Sequence, residues 1–265
     1  KVKTFVVMLI IFTLFLSAPF FLLAEKKEAA PAKKPLVIGT TDKLSGDIDT
    51  AEAYDFHTWE IFQNISQGLL TYKPGTTDLE PGLAESWPTI GGDGSEYTFK
   101  LRKGLKFSDG TPFNADVVKH SIDRVINLQG DPAWLVSDFV KEVQDIDEYT
   151  VKFILKNPIG YFPALTASVP YFPVSPKAYP IDKIVSQPEN IPCIGPYMVK
   201  SLTRDVEIVL EANPNYYGPK PKEERVIIKY FADATSLRLA VENKEIDIAW
   251  KTLNPADIED LKTKP

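Results

Sequence analysis

The sequence of 265 residues contains one cysteine, two histidines and two methionines, which removes several kinds of chemistry at the outset. A single thiol, Cys193, excludes an intrachain disulfide and any zinc cluster built from cysteines. His57 and His120 fall on different predicted helices, with no HExxH and no paired-ligand spacing, so no metal site is expected. Isolated histidines on helix faces ordinarily serve packing or surface hydrogen bonds. No GxGxxG, GxxxxGK or GxSxG occurs, so neither a phosphate-cradling loop nor a nucleophile elbow is present. Positive charge is also short: 30 basic residues face 36 acidic ones, a net charge of −6. Lys1 and Lys3 sit in a terminal segment treated below, and without them the imbalance widens. Such a chain has no electrostatic footprint for nucleic acid. The expectation is a protein with no catalytic residue and no cofactor.

Long apolar runs are absent except at the amino terminus, where Lys1 and Lys3 precede Phe5 to Ala24, interrupted only by Thr13, Ser17 and Pro19. This reads as an export signal, either cleaved or retained as a membrane anchor, since about 20 apolar residues can span a bilayer core. No cysteine lies nearby to carry a lipid. The next stretch, Glu25 to Pro35 (EKKEAAPAKKP), is charged and rich in Ala and Pro, the composition of a solvated tether. Residues 1–24 are thus expected to direct the chain out of the cytoplasm, 25–35 to act as tether, and 36–265 to fold.

Within that folded part the periodicities predict a mixed α/β class. Leu36 to Thr41 reads as a short buried strand followed by a polar loop through Thr50. Phe56, Trp59, Phe62, Ile65 and Leu69 recur at helical spacing, predicting a helix over about 55–67. Tyr97, Phe99 and Leu101 alternate with polar residues as a strand. Asn114 is a good N-cap for a helix with Val117, Val118, Ser121, Ile122, Val125 and Ile126 inside and Gly130 beyond its end. Val140 to Ile146 and Thr150 to Leu155 predict a hairpin across Asp147-Glu148-Tyr149. Nine prolines between Pro158 and Pro196 keep regular structure short there. Val206, Ile208 and Leu210 predict a strand, and Val226 to Ala249 a strand–helix–strand unit whose helix opens at Asp233.

Aromatic residues beside polar loops are the main candidates for ligand contact: Tyr54, Phe56, Trp59 and Trp134 can stack on a bound molecule, or cover a core. Cys193 has no base near it in sequence. A pair of carboxylates across a cleft, as in a glycosidase, leaves no sequence signature, so a secreted hydrolase acting on a carbohydrate or peptide stands as an alternative.

Several separate pieces then recur in order. GLLTYKPGTTDLEPGLAESW (Gly68 to Trp87), the strand DGSEYTFKLR (Asp93 to Arg102) and SDGTPFNADVV (Ser108 to Val118) resemble the signature region of family 5 extracellular solute-binding proteins. Gly195-Pro196-Tyr197, ANPNYYGPKPK and ENKEIDIAW resemble later landmarks of that family. The resemblance implies a two-lobed clamp of the type II periplasmic-binding-protein class, outside the cytoplasm, that presents a peptide, sugar or other small solute to the permease subunits of an ABC importer. A surface sensor on the same fold is a further alternative. It also implies that the loop after the first strand borders the cleft, making Glu52, Tyr54 and Phe56 candidate ligand contacts, with Trp134 beside them. Residues 36–265 would then be the first lobe and hinge strands, with about 50–190 inserted as a subdomain and the second lobe outside the chain. Leu79, Leu83 and Trp87 are expected to anchor the segment before the strand. Cys193 stands where a glycine is common in the family, which suggests altered backbone geometry.

Overall fold

The computed structural model describes residues 33–44, 46–186 and 190–264. The apolar segment from Phe5 to Ala24 and nearly all of the tether lie outside these residues. Among the described residues no helix is long and apolar enough to cross a membrane. The apolar strand Leu36–Thr40 (β1) is an inner strand of a five-stranded sheet, where it runs parallel to Arg225–Tyr230 (β10) on one side and to Ile248–Ala249 (β11) on the other. Antiparallel pairing then adds Glu207–Ala212 (β9) and Tyr197–Thr203 (β8), giving the order β11-β1-β10-β9-β8. Because side chains alternate across a strand, β1 feeds two cores. Leu36 and Ile38 pack with Ile208, Leu210, Val226 and Ile228 on one face, where the helix Phe56–Ile65 (α1) contributes Ile61, Phe62 and Ile65. Val37 faces the other side and meets Leu237 and Ala240 of the helix Ala234–Glu242 (α5).

Residues between β1 and β8 build a second sheet of four antiparallel strands: Thr89–Gly91 (β4), Glu96–Lys100 (β5), Thr150–Leu155 (β7) and Val140–Asp147 (β6), in the order β4-β5-β7-β6. A two-stranded ribbon of Leu70–Tyr72 (β2) and Leu79–Pro81 (β3) lies between α1 and this sheet in sequence. The long helix Ala115–Leu128 (α2) lays Val118, Ile122 and Val125 against Phe99, Val151 and Phe153. Its Asn114 cap accepts the Val117 N–H at 3.0 Å, as its sequence predicts. It ends on Gln129 in the left-handed region (φ 52°) rather than on Gly130. Gly130 is needed for a different reason: a Cβ there would lie 2.1 Å from the Ala51 carbonyl oxygen. Among the described residues, the proline-rich stretch holds only the single turn Phe162–Leu165 (α4) and a 3-10 turn at Val169–Tyr171.

Three sequence expectations need correction. Phe62, Ile65 and Leu69 are buried as the spacing predicts, but the inner face of α1 opens on His57 and Thr58 rather than on Phe56, which is 84% exposed. Asp55 causes this: its carboxylate accepts from the Thr58 N–H at 2.8 Å and fixes where the first turn begins. Trp87 is half exposed and anchors nothing, whereas Leu83 is fully buried. Val206 lies outside β9, in the turn closed by its N–H on the Thr203 carbonyl. Near Cys193 the tight position is Gly195, whose N–H donates to the Ile65 carbonyl at 2.9 Å and whose absent Cβ leaves room for the Ser66 nitrogen. The Cys193 side chain is accommodated in the α1 core.

The most buried ion pair among the described residues joins the loop after β1 to α2. Arg124 of α2 and Asp49 of the loop after β1 are both inaccessible to solvent, with two parallel hydrogen bonds of 2.6 Å. Arg124 also donates to the carbonyls of Pro180 and Lys183, while Asp49 accepts the N–H groups of Ala51 and Val185. Removing one partner strands the other charge in the interior, at a cost of about 3–5 kcal/mol. Arg124→Met is therefore expected to lower the unfolding free energy by that amount, read as a lower urea midpoint with an unchanged slope. An unshifted midpoint would show that the pair contributes little. Burial also pushes the Cys193 thiol up to about 11. Iodoacetamide near about pH 8 is expected to leave the native protein unlabelled and to label one thiol after unfolding.

Candidate functional site

The carboxyl ends of the parallel strands β1, β10 and β11 come out on one edge of the sheet, and the first two turns of α1 cross that edge. His57, nearly buried, holds its Nε2 2.9 Å from the Tyr230 hydroxyl at the end of β10. Glu60 accepts from Trp250 Nε1 at 3.3 Å and pairs with Lys251 at 3.0 Å, and Lys251 also reaches Asp42 beyond β1 at 2.9 Å. Thr41 and Thr252 join hydroxyl to hydroxyl across the same edge. Lys251 and Thr252 are both left-handed (φ 65° and 67°), which turns the chain off the sheet toward Pro255–Lys262 (α6). In open α/β sheets this edge is where ligands are held.

Beside it lies a groove of about 350 Å³ lined by Tyr54, Asp55, Phe56, Trp59 and Leu135. Tyr54 meets Trp59 edge to face at 5.9 Å between ring centres, and Trp134, the first residue of the short helix Trp134–Ser137 (α3), at 6.3 Å and 88°. Trp59 is pinned by its Nε1–H on the Ala53 carbonyl at 2.8 Å. Tyr54 and Trp134 remain about half exposed (51% and 47%) and Phe56 almost wholly so. An apolar ring in a first helical turn, packed on nothing, costs solvation unless something else covers it.

Of the four residues singled out in the sequence, Tyr54 and Phe56 line this groove and Trp134 buttresses it. Glu52 takes a different direction. Its carboxylate rests against Gly130, where an added Cβ would come within 2.4 Å of it. Desolvation raises its pKa, as do the charges of Asp131, Asp47 and Asp49. Glu52 thus ties the loop after β1 to the turn that carries Trp134. Sequence reasoning passed over Glu60, Trp250 and Lys251. The available signal was their placement, at the end of a strand parallel to β1 and one turn into the helix that follows it.

Nucleophilic and metal chemistry find no assembled group here. His120 donates Nε2–H to the Tyr179 carbonyl, and Cys193 donates its thiol to the Ile191 carbonyl. Among the described residues, no three His, Cys, Asp or Glu side chains converge in a way that could hold a metal ion.

Known proteins give this geometry a family. The model for bacterial extracellular solute-binding proteins, family 5 (middle region), matches residues 78–265. The chain is 34% identical over 229 residues to the probable D,D-dipeptide-binding periplasmic protein DdpA of Escherichia coli, covering 83% of this chain and 44% of that one. It is 33% identical over 220 residues to the dipeptide-binding protein of E. coli, covering 73% and 40%. Among solved structures, the ABC transporter-associated periplasmic binding protein DppA from Helicobacter pylori, in complex with the peptide STSA, superposes with a TM-score of 0.77 at 25% identity over 88% of this chain and 49% of that one. The chain spans less than half the length of these relatives, and its fold is the first portion of a type II periplasmic binding protein. A family model matched over well more than half of the sequence places this chain among the family 5 bacterial extracellular solute-binding proteins.

Proposed function

We propose that this chain supplies one wall of an extracytoplasmic clamp that captures a peptide and presents it to the permease of an ABC importer. The observation that carries the reading is the groove formed by Tyr54, Phe56 and Trp59, with Trp134 behind it, at the carboxyl edge of β1 and β10. It is an apolar, half-open surface on which Tyr54, Trp59 and Trp134 hold one another in place before any ligand arrives, with Phe56 exposed beside them. The peptide and dipeptide named for the relatives support the choice of ligand class. In this reading about 50–190 form a subdomain inserted between β1 and β8, β8 to β11 lead to the hinge, and residues 1–24 export the chain or anchor it through the tether of 25–35.

A clamp of this kind works by population shift. Ligand favours closure only by the difference in its affinity for the closed and open forms. The site shown here offers aromatic faces to side chains, which tolerate many sequences, while main-chain groups and bridging water supply polar contacts. A hydrolase is disfavoured because Asp55 is the single acid lining the groove and is engaged in capping α1. A sugar ligand is disfavoured for a related reason. No amide side chain lines this groove, and sugar hydroxyls need a dense set of donors and acceptors.

Thermal unfolding of the full-length protein tests the reading. At about 100 times its Kd, a ligand adds about 2.7 kcal/mol of stability. For a chain about twice this length the melting temperature is then expected to rise by about 2–3 °C with di- or tripeptides, with the peptide recovered uncleaved. A shift with oligosaccharides and none with any peptide, or turnover of the peptide, would overturn it.

A further inference from the structure

The aromatic groove carries a more specific message about its ligand. Ring centres near 6 Å apart at 63° and 88° make Tyr54, Trp59 and Trp134 a corner, with no pair of parallel faces between which a flat ring could slide. Steeply inclined aromatic faces attract a compact cation through their quadrupoles, most strongly where water is partly excluded. The electrostatics agree. Segments 46–62 and 130–137, which supply the walls, contain Asp47, Asp49, Glu52, Asp55, Glu60 and Asp131 and no Lys or Arg. Three of these acids have basic partners: Asp49 is paired with Arg124, Glu60 with Lys251, and Asp47 lies 3.8 Å from Arg204. Glu52, Asp55 and Asp131 have no basic partner among the described residues. Asp55 lines the groove itself.

We propose that the corner formed by Tyr54, Trp59 and Trp134, with Phe56 at its rim and Asp55 in its wall, seats a cationic side chain, the ammonium of lysine or the guanidinium of arginine. The assignment rests on the peptide-capture reading and narrows it. The charge of Asp55 complements the cation, and its hydrogen bonds to the Thr58 N–H and hydroxyl hold it at the start of α1. The field of the unpaired acids draws basic ligands to this side of the cleft and disfavours acidic ones.

The test compares the full-length protein's affinity for Lys-Ala, Arg-Ala, norleucine-Ala and Glu-Ala by calorimetry. Norleucine matches the lysine stem without its charge. Lys-Ala and Arg-Ala are expected to bind about tenfold more tightly than norleucine-Ala, with Glu-Ala weakest. Tyr54→Leu and Trp134→Leu, both at half-exposed positions, are expected to weaken Lys-Ala and Arg-Ala about tenfold more than they weaken norleucine-Ala, which abolishes the preference, while the melting temperature of the free protein stays close to wild type. Tyr54→Phe keeps the ring face and is expected to retain it. Norleucine-Ala binding as tightly as Lys-Ala, or a preference that survives both leucine variants, would overturn the cation site and leave peptide capture standing. Should no peptide bind, peptide capture falls, and tetramethylammonium chloride decides the cation site alone. Saturable quenching of tryptophan fluorescence, lost in Tyr54→Leu, supports it, and no saturable change overturns it.

Discussion

The buried pair of Arg124 and Asp49 is the constraint on which the rest of this structure turns. Each side chain is closed off from water, and each satisfies its remaining capacity on backbone groups: Pro180 and Lys183 for the guanidinium, Ala51 and Val185 for the carboxylate. Three distant pieces of chain are thereby fixed to one another, the loop after β1, the middle of α2 and the proline-rich return. A planar guanidinium facing a carboxylate through two parallel bonds sets orientation as well as distance. The Asp49 carbonyl continues the order outward by accepting the N–H groups of Glu52 and Ala53. Two residues later Asp55 begins α1. The position of Tyr54 is thus determined from both sides, and the aromatic groove inherits its shape from a charge pair buried beneath it.

That arrangement explains how a surface can be apolar and still hold its shape without a ligand. Trp59 is pinned to Ala53, Tyr54 leans on Trp59 and Trp134, and Gly130 lets the turn carrying Trp134 approach the Ala51 carbonyl. Little ordering remains to be done when a ligand arrives, which is the condition for affinity without a large entropic cost. On the neighbouring edge, Glu60, Trp250 and Lys251 couple α1 to the end of β11, so the helix that carries Phe56 also touches the segment leading away from the sheet.

The elements with a buried stripe were legible in the sequence. Asn114 and the apolar positions of α2, the β6–β7 hairpin and the Asp233 cap of α5 all appear where local pattern places them, because each element buries one face against a large core. The rest was silent for physical reasons. In β8 a register shift between Val199 and Ser201 breaks the alternation, and the strand lies at an edge with no face fully buried. α6 buries no residue at all, so it has no stripe to read. β2, β3 and β4 are three residues each, too short for any period. In the site, Tyr54 and Phe56 were legible as aromatics beside a polar loop. The meeting of Tyr54 with Trp134, eighty residues away, depends on Arg124 and Gly130 and has no local signature. The approach of Glu52 to Gly130 likewise joins distant segments and has no local signature.

The most direct measurement of this account is amide hydrogen exchange in the wild type and in Asp49→Asn, which keeps the shape of the side chain and removes its charge. The amides of Ala51 and Val185 donate to the Asp49 carboxylate, and those of Glu52 and Ala53 to its carbonyl. The account predicts that all four are protected in the wild type and lose protection together in the variant, by about 100-fold or more, a factor of ten for each 1.4 kcal/mol. The amides of β10 would lose no more than the drop in global stability, and less than these four. Unchanged protection at these four positions, or a loss no larger there than in β10, would contradict the claim that this one ion pair orders the loop beneath the groove.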